Sequence, residues 1–130
     1  MTKEAAIHQF WNSFGIRAYE ENNVIDADEL GNPVEPKLPY ITYQLVTDSF
    51  DREVATTASI WYRSESWTAI NAKTEEISQK ISRGGKIIAC DGGAIWLKRG
   101  QPFAQSMGDE SDDLIKRKYI NITAEFVTAD

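Results

Sequence analysis

Two stretches of the chain space large apolar side chains three and four residues apart, which is the pattern of an amphipathic helix. The first predicts a helix over residues 3–14, ended by Gly15 in a left-handed cap. The second predicts a helix that begins near Trp67, behind a cap at Ser64 or Ser66, and ends at Gly84-Gly85. The apolar positions are Ile7, Phe10, Trp11 and Phe14 in the first helix and Trp67, Ile70, Thr74, Ile77 and Ile81 in the second.

Other segments alternate apolar and polar residues, or are rich in β-branched and aromatic residues, and both features favour strands. These segments are residues 39–46, 55–63, 86–90, 94–98 and 118–127, and residues 16–19 are a possible further short strand. Asp91-Gly92-Gly93 separates two of them and is typical of a hairpin turn, because glycine tolerates the positive φ that such turns need. The order of elements predicts an α+β fold with a mainly antiparallel sheet of four to five strands and two helices packed on one face.

The length of 130 residues fits a single domain spanning the whole chain. Two segments, near residues 20–37 and 99–113, show little periodicity and predict irregular loops. Connections this long tend to be functional or mobile, although a merely variable surface loop is the alternative for residues 20–37.

Charge and composition exclude several classes of function. The net charge of −6 disfavours duplex nucleic acid as the main partner, because an acidic chain gains nothing from phosphate neutralisation. A single cysteine excludes an internal disulfide and a cysteine-cluster zinc site. The chain has no apolar run near the ~20 residues of a membrane helix and no signal peptide. We therefore expect it in the cytosol.

No pattern in the chain predicts catalysis. His8 is the only histidine and is interpreted as a surface or packing residue, and Cys90 is interpreted as a packed small apolar side chain. The acidic run at 109–113 fails as an EF-hand, because Leu114 replaces the required glycine and Ile120 the required glutamate. There is no phosphate-binding glycine motif. We expect no enzyme activity, no cofactor and no metal.

One polar segment contains apolar residues that would be unusual to expose. Pro102, Phe103 and Met107 lie on a predicted loop flanked by glutamines and acids, which predicts an interaction surface. The alternative is that Phe103 packs into the core of its own subunit.

The same region changes from acidic to basic within a few residues. Asp109, Asp112 and Asp113 precede Lys116 and Arg117, and such blocks can pair between identical subunits. The alternative is that both blocks are simply solvated.

Four segments together resemble the small tail-completion, or tail terminator, proteins of long-tailed bacteriophages, also described as minor capsid or head–tail joining proteins. They are LPYITY at 38–43, SIWYRS at 59–64, GQPFAQSM at 100–107 and KRKYINI at 116–122. Their order and spacing cover about residues 5–127. The segment 20–37 is long and acidic for this pattern.

The resemblance implies a structural virion protein. Such proteins form an oligomeric ring, commonly a hexamer, on the last ring of the tail tube, where they stop tube growth and offer a surface for the head–tail connector. The implied partners are further copies of the chain, the major tail tube protein and the connector, without a membrane or a specific nucleic-acid sequence. The implied final location is the virion tail. Two alternatives remain: another neck protein, such as a stopper or adaptor, and a small ligand-binding module.

Overall fold

The computed structural model describes residues 1–24 and 26–129, and for Asp26 its backbone alone. Two helices and eight strands follow one another in this described part of the chain. They are α1 (Lys3–Trp11), β1 (Arg17–Glu20), β2 (Asp26–Ala27), β3 (Pro33–Val34), β4 (Tyr40–Tyr43), β5 (Arg52–Arg63), α2 (Thr68–Ile81), β6 (Lys86–Cys90), β7 (Gly93–Gly108) and β8 (Ile115–Thr128).

Six of the strands form one sheet in the order β1-β4-β5-β8-β7-β6, and β2 pairs with β3 in a separate small hairpin. The α+β class is confirmed, but the expected sheet of four to five mainly antiparallel strands differs in detail, since six strands form a mixed sheet. β1 pairs with β4 in parallel, while the other pairs of this sheet are antiparallel. Parallel neighbours need a connection of a dozen or more residues. Residues 21–39 supply it, which explains the length of the segment that the sequence left without a role.

Both helices contribute to a single hydrophobic core with one face of the sheet. Phe10 of α1 and Ile77 of α2 belong to the same buried cluster as Ile60 and Ile120 of the central strands. α1 contacts both edge strands, β1 and β6, so the sheet curls around this helix. Among the described residues, no helix is long and apolar enough to cross a membrane.

The ends of both helices differ from the sequence prediction by a few residues. In α1 the Thr2 hydroxyl accepts a hydrogen bond from the Ala5 amide at 3.1 Å, and the helix ends at Trp11 instead of Phe14. Phe14 is nonetheless buried with 2% of its surface exposed. α2 ends at Ile81, before Gly84-Gly85, because Ser82 leaves the helical conformation with φ 66° and ψ 174°.

The expected irregular loop over residues 99–113 is wrong for most of its length, because β7 continues to Gly108. The register against β8 shifts between Arg99 and Ala104. Such an irregularity lets Pro102, which has no amide proton, occupy a strand without breaking the ladder around it. Gly100 is required there, since a Cβ at this position would lie 2.8 Å from the Asn121 carbonyl oxygen. The remaining irregular connection between β7 and β8 spans residues 109–114.

Candidate functional site

The side of the six-stranded sheet that faces away from the helices, here called the open face, presents a continuous row of large side chains. Successive residues of a strand point to opposite faces, so the neighbours of buried Ile41, Ile60 and Ile120 point to the open face. The strand registers align one residue from each of five strands. This cross-strand row runs Arg17, Tyr40, Trp61, Arg117, Met107.

The aromatic rings of the row contact one another and a guanidinium group. Tyr19 meets Tyr40 edge-on with ring centroids 5.8 Å apart, and Tyr40 stacks on Trp61 at 6.4 Å. The Arg117 guanidinium carbon lies 4.7 Å from the Trp61 ring centroid and 5.3 Å from that of Tyr119. Cation–π contacts of this length are stabilising, so they favour the observed positions of Trp61, Arg117 and Tyr119.

Hydrogen bonds fix the polar atoms of the same side chains. Trp61 Nε1 donates to Thr42 Oγ1 at 2.9 Å, and Arg117 Nε donates to Ser59 Oγ at 3.0 Å. Both acceptors lie on neighbouring strands. The indole and the guanidinium therefore keep one orientation each.

Tyr40 is also electrostatically distinct within the row. Partial burial, with smaller effects from Glu35 and Tyr19, raises the pKa of the Tyr40 hydroxyl above its ordinary value. The shift further favours the protonated hydroxyl, which can donate a hydrogen bond.

A groove of about 430 Å³ lies at the Met107 end of the row. The Met107 side chain is 40% exposed. Asp109 at the rim accepts hydrogen bonds from the Ser111 hydroxyl and amide at 2.7 and 2.8 Å, and these bonds lower the pKa of the Asp109 carboxyl. The lining residues are Trp61, Met107, Gly108, Asp109, Glu110, Ile115 and Arg117.

Three of the residues predicted from sequence as interaction residues, Met107, Asp109 and Arg117, come together in this groove. Two others, Pro102 and Phe103, are not among its lining residues. Pro102 is exposed, and its carbonyl accepts a hydrogen bond from Asn121 Nδ2 at 3.0 Å. Phe103 is half-buried and packs against the hydrophobic core, which is the alternative that the sequence had left open.

Asp112 and Lys116, two of the remaining predicted residues, have contacts within the chain. Arg63 pairs with Asp112, whose carboxyl has a lowered pKa because the Leu114 amide, and secondly Arg63, bond to it. The Lys116 ammonium donates to the Asp113 carbonyl. Lys116 is only 8% exposed, so its burial leaves it little surface to offer to a neighbouring subunit.

His8 and Cys90, the residues considered for catalysis, lie at the surface and beside the core, respectively. His8 is exposed, and its Nδ1 lies 2.9 Å from the Tyr43 hydroxyl oxygen. Cys90 is half-buried beside the core. Within residues 1–24 and 27–129, no group of three or more His, Cys, Asp or Glu side chains is arranged to hold a metal ion.

The sequence prediction missed Tyr19, Tyr40, Trp61 and Tyr119 as site residues. A signal was present, because each is an aromatic residue that alternates with a buried residue of its strand. Comparison with known protein families, with characterised proteins and with solved structures found no match. Function must therefore be inferred from the residues and geometry of this chain.

Proposed function

We propose that this protein is a structural subunit that completes a bacteriophage tail. It binds the last ring of the tail tube, ends tube growth and presents the surface that joins the head. The observation that best supports this role is the open face of the sheet. Its cross-strand row consists of tyrosine, tryptophan, arginine and methionine, the residue types enriched at protein–protein interfaces.

The fixed positions of the side chains in the row favour a rigid docking surface. Immobilising a flexible side chain at an interface costs about 0.5–1.5 kcal/mol. Trp61 and Arg117 are already fixed by the Thr42 and Ser59 hydroxyls. Binding of a protein partner therefore loses little further side-chain entropy at Trp61 and Arg117. A flat apolar surface on the partner would fit this row best.

In this role the subunit performs no turnover and needs no cofactor or metal. It assembles as a ring, commonly of six copies, and its partners are the other copies, the major tail tube protein and the head–tail connector. The host cytoplasm is the place of assembly and the virion tail the final location. A stopper or adaptor of the neck would use a similar face, but would bind the connector without binding the tube.

The test is control of tail-tube length. Purified subunit is added to polymerising tail tube protein, and tube lengths and end caps are measured by electron microscopy. Trp61→Ala should lose length control, with tube affinity reduced about 30-fold, the equivalent of a hot-spot loss of roughly 2 kcal/mol. Met107→Asp should act in the same direction. Asn71→Ala, on the exposed side of α2, is the matched control and should cap tubes normally.

Folding and docking are separated by comparing melting temperatures of the variants. Met107 is substantially exposed, so Met107→Asp should melt close to the unsubstituted protein. Phe103→Asp should destabilise the subunit itself, because Phe103 packs against the core. Folded Trp61 and Met107 variants that still cap tubes would refute docking through the open face. A subunit that binds only the connector would instead establish the neck role.

A further inference from the structure

The hairpin β2–β3 presents an exposed leucine at an ordered turn. Leu30 is 86% exposed. The Asp28 carboxylate accepts hydrogen bonds from the Leu30 and Asn32 amides, both at 2.9 Å. The Gly31 amide bonds to the Asp28 carbonyl at 3.0 Å. Residues 28–32, here called the acidic tip, therefore hold an apolar side chain in solvent beside two acidic residues, Asp28 and Glu29.

A groove of about 540 Å³ lies at the other edge of the sheet, between α1 and β6. Its apolar wall includes Phe10, Ile88 and Cys90, while Lys80 and Lys86 give it a cationic rim. Asp91 in its lining is already paired with the Met1 amino group at 2.8 Å. The groove, here called the α1–β6 groove, thus combines apolar surface with positive charge.

We propose that the acidic tip of one subunit docks into the α1–β6 groove of a second copy of the chain, with Leu30 against the apolar wall. This contact deepens the proposed function, since it rests on the subunit forming a ring. The two surfaces are complementary in shape, because a projecting leucine meets a concave apolar wall. They are also complementary in charge, because Glu29 would approach Lys86.

The positions of the two surfaces favour a ring. The acidic tip lies beside the edge strand β1, as Asp28 and Glu29 line a common groove with Arg17 and Tyr19. The α1–β6 groove lies at the other edge strand of the same sheet. A contact between two different surfaces is heterologous, and it gives a ring when the rotation between neighbouring subunits closes. Because the hydrogen bonds of Asp28 already hold the turn in one conformation, docking loses less conformational entropy.

Cysteine cross-linking tests the contact directly, because Cys90 is the only cysteine of the chain and lines the groove. Tagged subunits with Leu30→Cys and Cys90→Ser are mixed with untagged, unsubstituted subunits and treated with a short bismaleimide. A product that contains one tagged and one untagged subunit can form only between position 30 and Cys90. Its yield should exceed that of a Glu75→Cys, Cys90→Ser control by at least about ten-fold, as expected for proximity within a complex.

Charge reversal tests the cationic rim. Glu29→Lys in the tagged subunit, or Lys86→Glu in the untagged one, should lower the mixed product by about two- to five-fold, the range of an exposed ion pair. Combining the two reversals should restore it. Single reversals that leave the yield unchanged would overturn the Glu29–Lys86 pairing.

Different experimental results would overturn the tip-in-groove contact and the proposed function. Rings or tube caps seen by electron microscopy without the mixed product would overturn the tip-in-groove contact and leave the tail role standing. The mixed product together with no binding to tail tubes would support the contact and overturn the tail role.

Discussion

Ser82→Gly should stabilise the protein, because Ser82 ends α2 in a conformation that suits glycine alone. Its φ and ψ are 66° and 174°, a region in which a side chain costs about 1–3 kcal/mol. The backbone bonds of this residue would survive the change, since the Ser82 amide donates to Ser78 and its carbonyl accepts from Gly85 and Arg99.

The expected gain follows from two opposing effects. Glycine relieves the strain but adds about 0.5–1 kcal/mol of conformational entropy to the unfolded chain. The Ser82 hydroxyl bond to the Gly85 carbonyl is long, at 3.3 Å, and exposed, so its loss matters little. We expect a net gain of about 1 kcal/mol, which raises the melting temperature by about 3–6 °C in a domain of this size.

Thermal and urea denaturation of the purified subunit measure this gain. Arg83→Gly is the matched control, because Arg83 is the exposed next residue and is not among the described residues with positive φ. It should lose about 0.5–1 kcal/mol. If Ser82→Gly lowered stability as Arg83→Gly does, the claim that strain is stored at the end of α2 would be wrong.

Two further predictions concern stability. Gly93→Ala should cost at least about 2 kcal/mol in urea denaturation, because φ is 155° and the new Cβ would lie 2.1 Å from the Val127 carbonyl oxygen; a neutral effect would refute the close approach. The pKa of Asp112 in the folded protein is lowered from 3.8. The ionised Asp112 carboxyl therefore contributes its full stabilisation of the fold above pH 3.8, and this contribution is lost as the pH falls through the lower pKa of the folded state. Asp112→Asn should therefore lose less stability than the unsubstituted protein between neutral pH and pH ~3, and equal losses would contradict this assignment.

The sequence alone determined the elements whose patterns are local. The 3-4 spacing of Ile7, Phe10 and Trp11 placed the first helix, and the alternation from Ile120 to Phe126 placed the last strand. The Asp91-Gly92-Gly93 turn identified the β6–β7 hairpin correctly. Each of these signals depends on residues within one element, where backbone geometry alone decides which side chains share a face.

Sequence reasoning failed where glycine and proline interrupt a strand and where a pairing is distant. Residues 99–113 were predicted to be an irregular loop, yet the ladder between β7 and β8 continues around Gly100 and Pro102 through a shifted register. β1 was predicted only as a possible short strand over residues 16–19. Its parallel pairing with β4 depends on the path of residues 21–39, which local periodicity does not specify.

Tertiary structure alone decided both surfaces that support the proposals. Tyr40, Trp61, Met107 and Arg117 are far apart along the chain, and only the registers of four strand pairs align them with Arg17 in one row. The α1–β6 groove likewise joins the first helix to a strand more than seventy residues later. A sequence pattern tells which face of a strand a residue occupies, but the neighbours on that face depend on strand order and register, and these are set by packing of the whole chain.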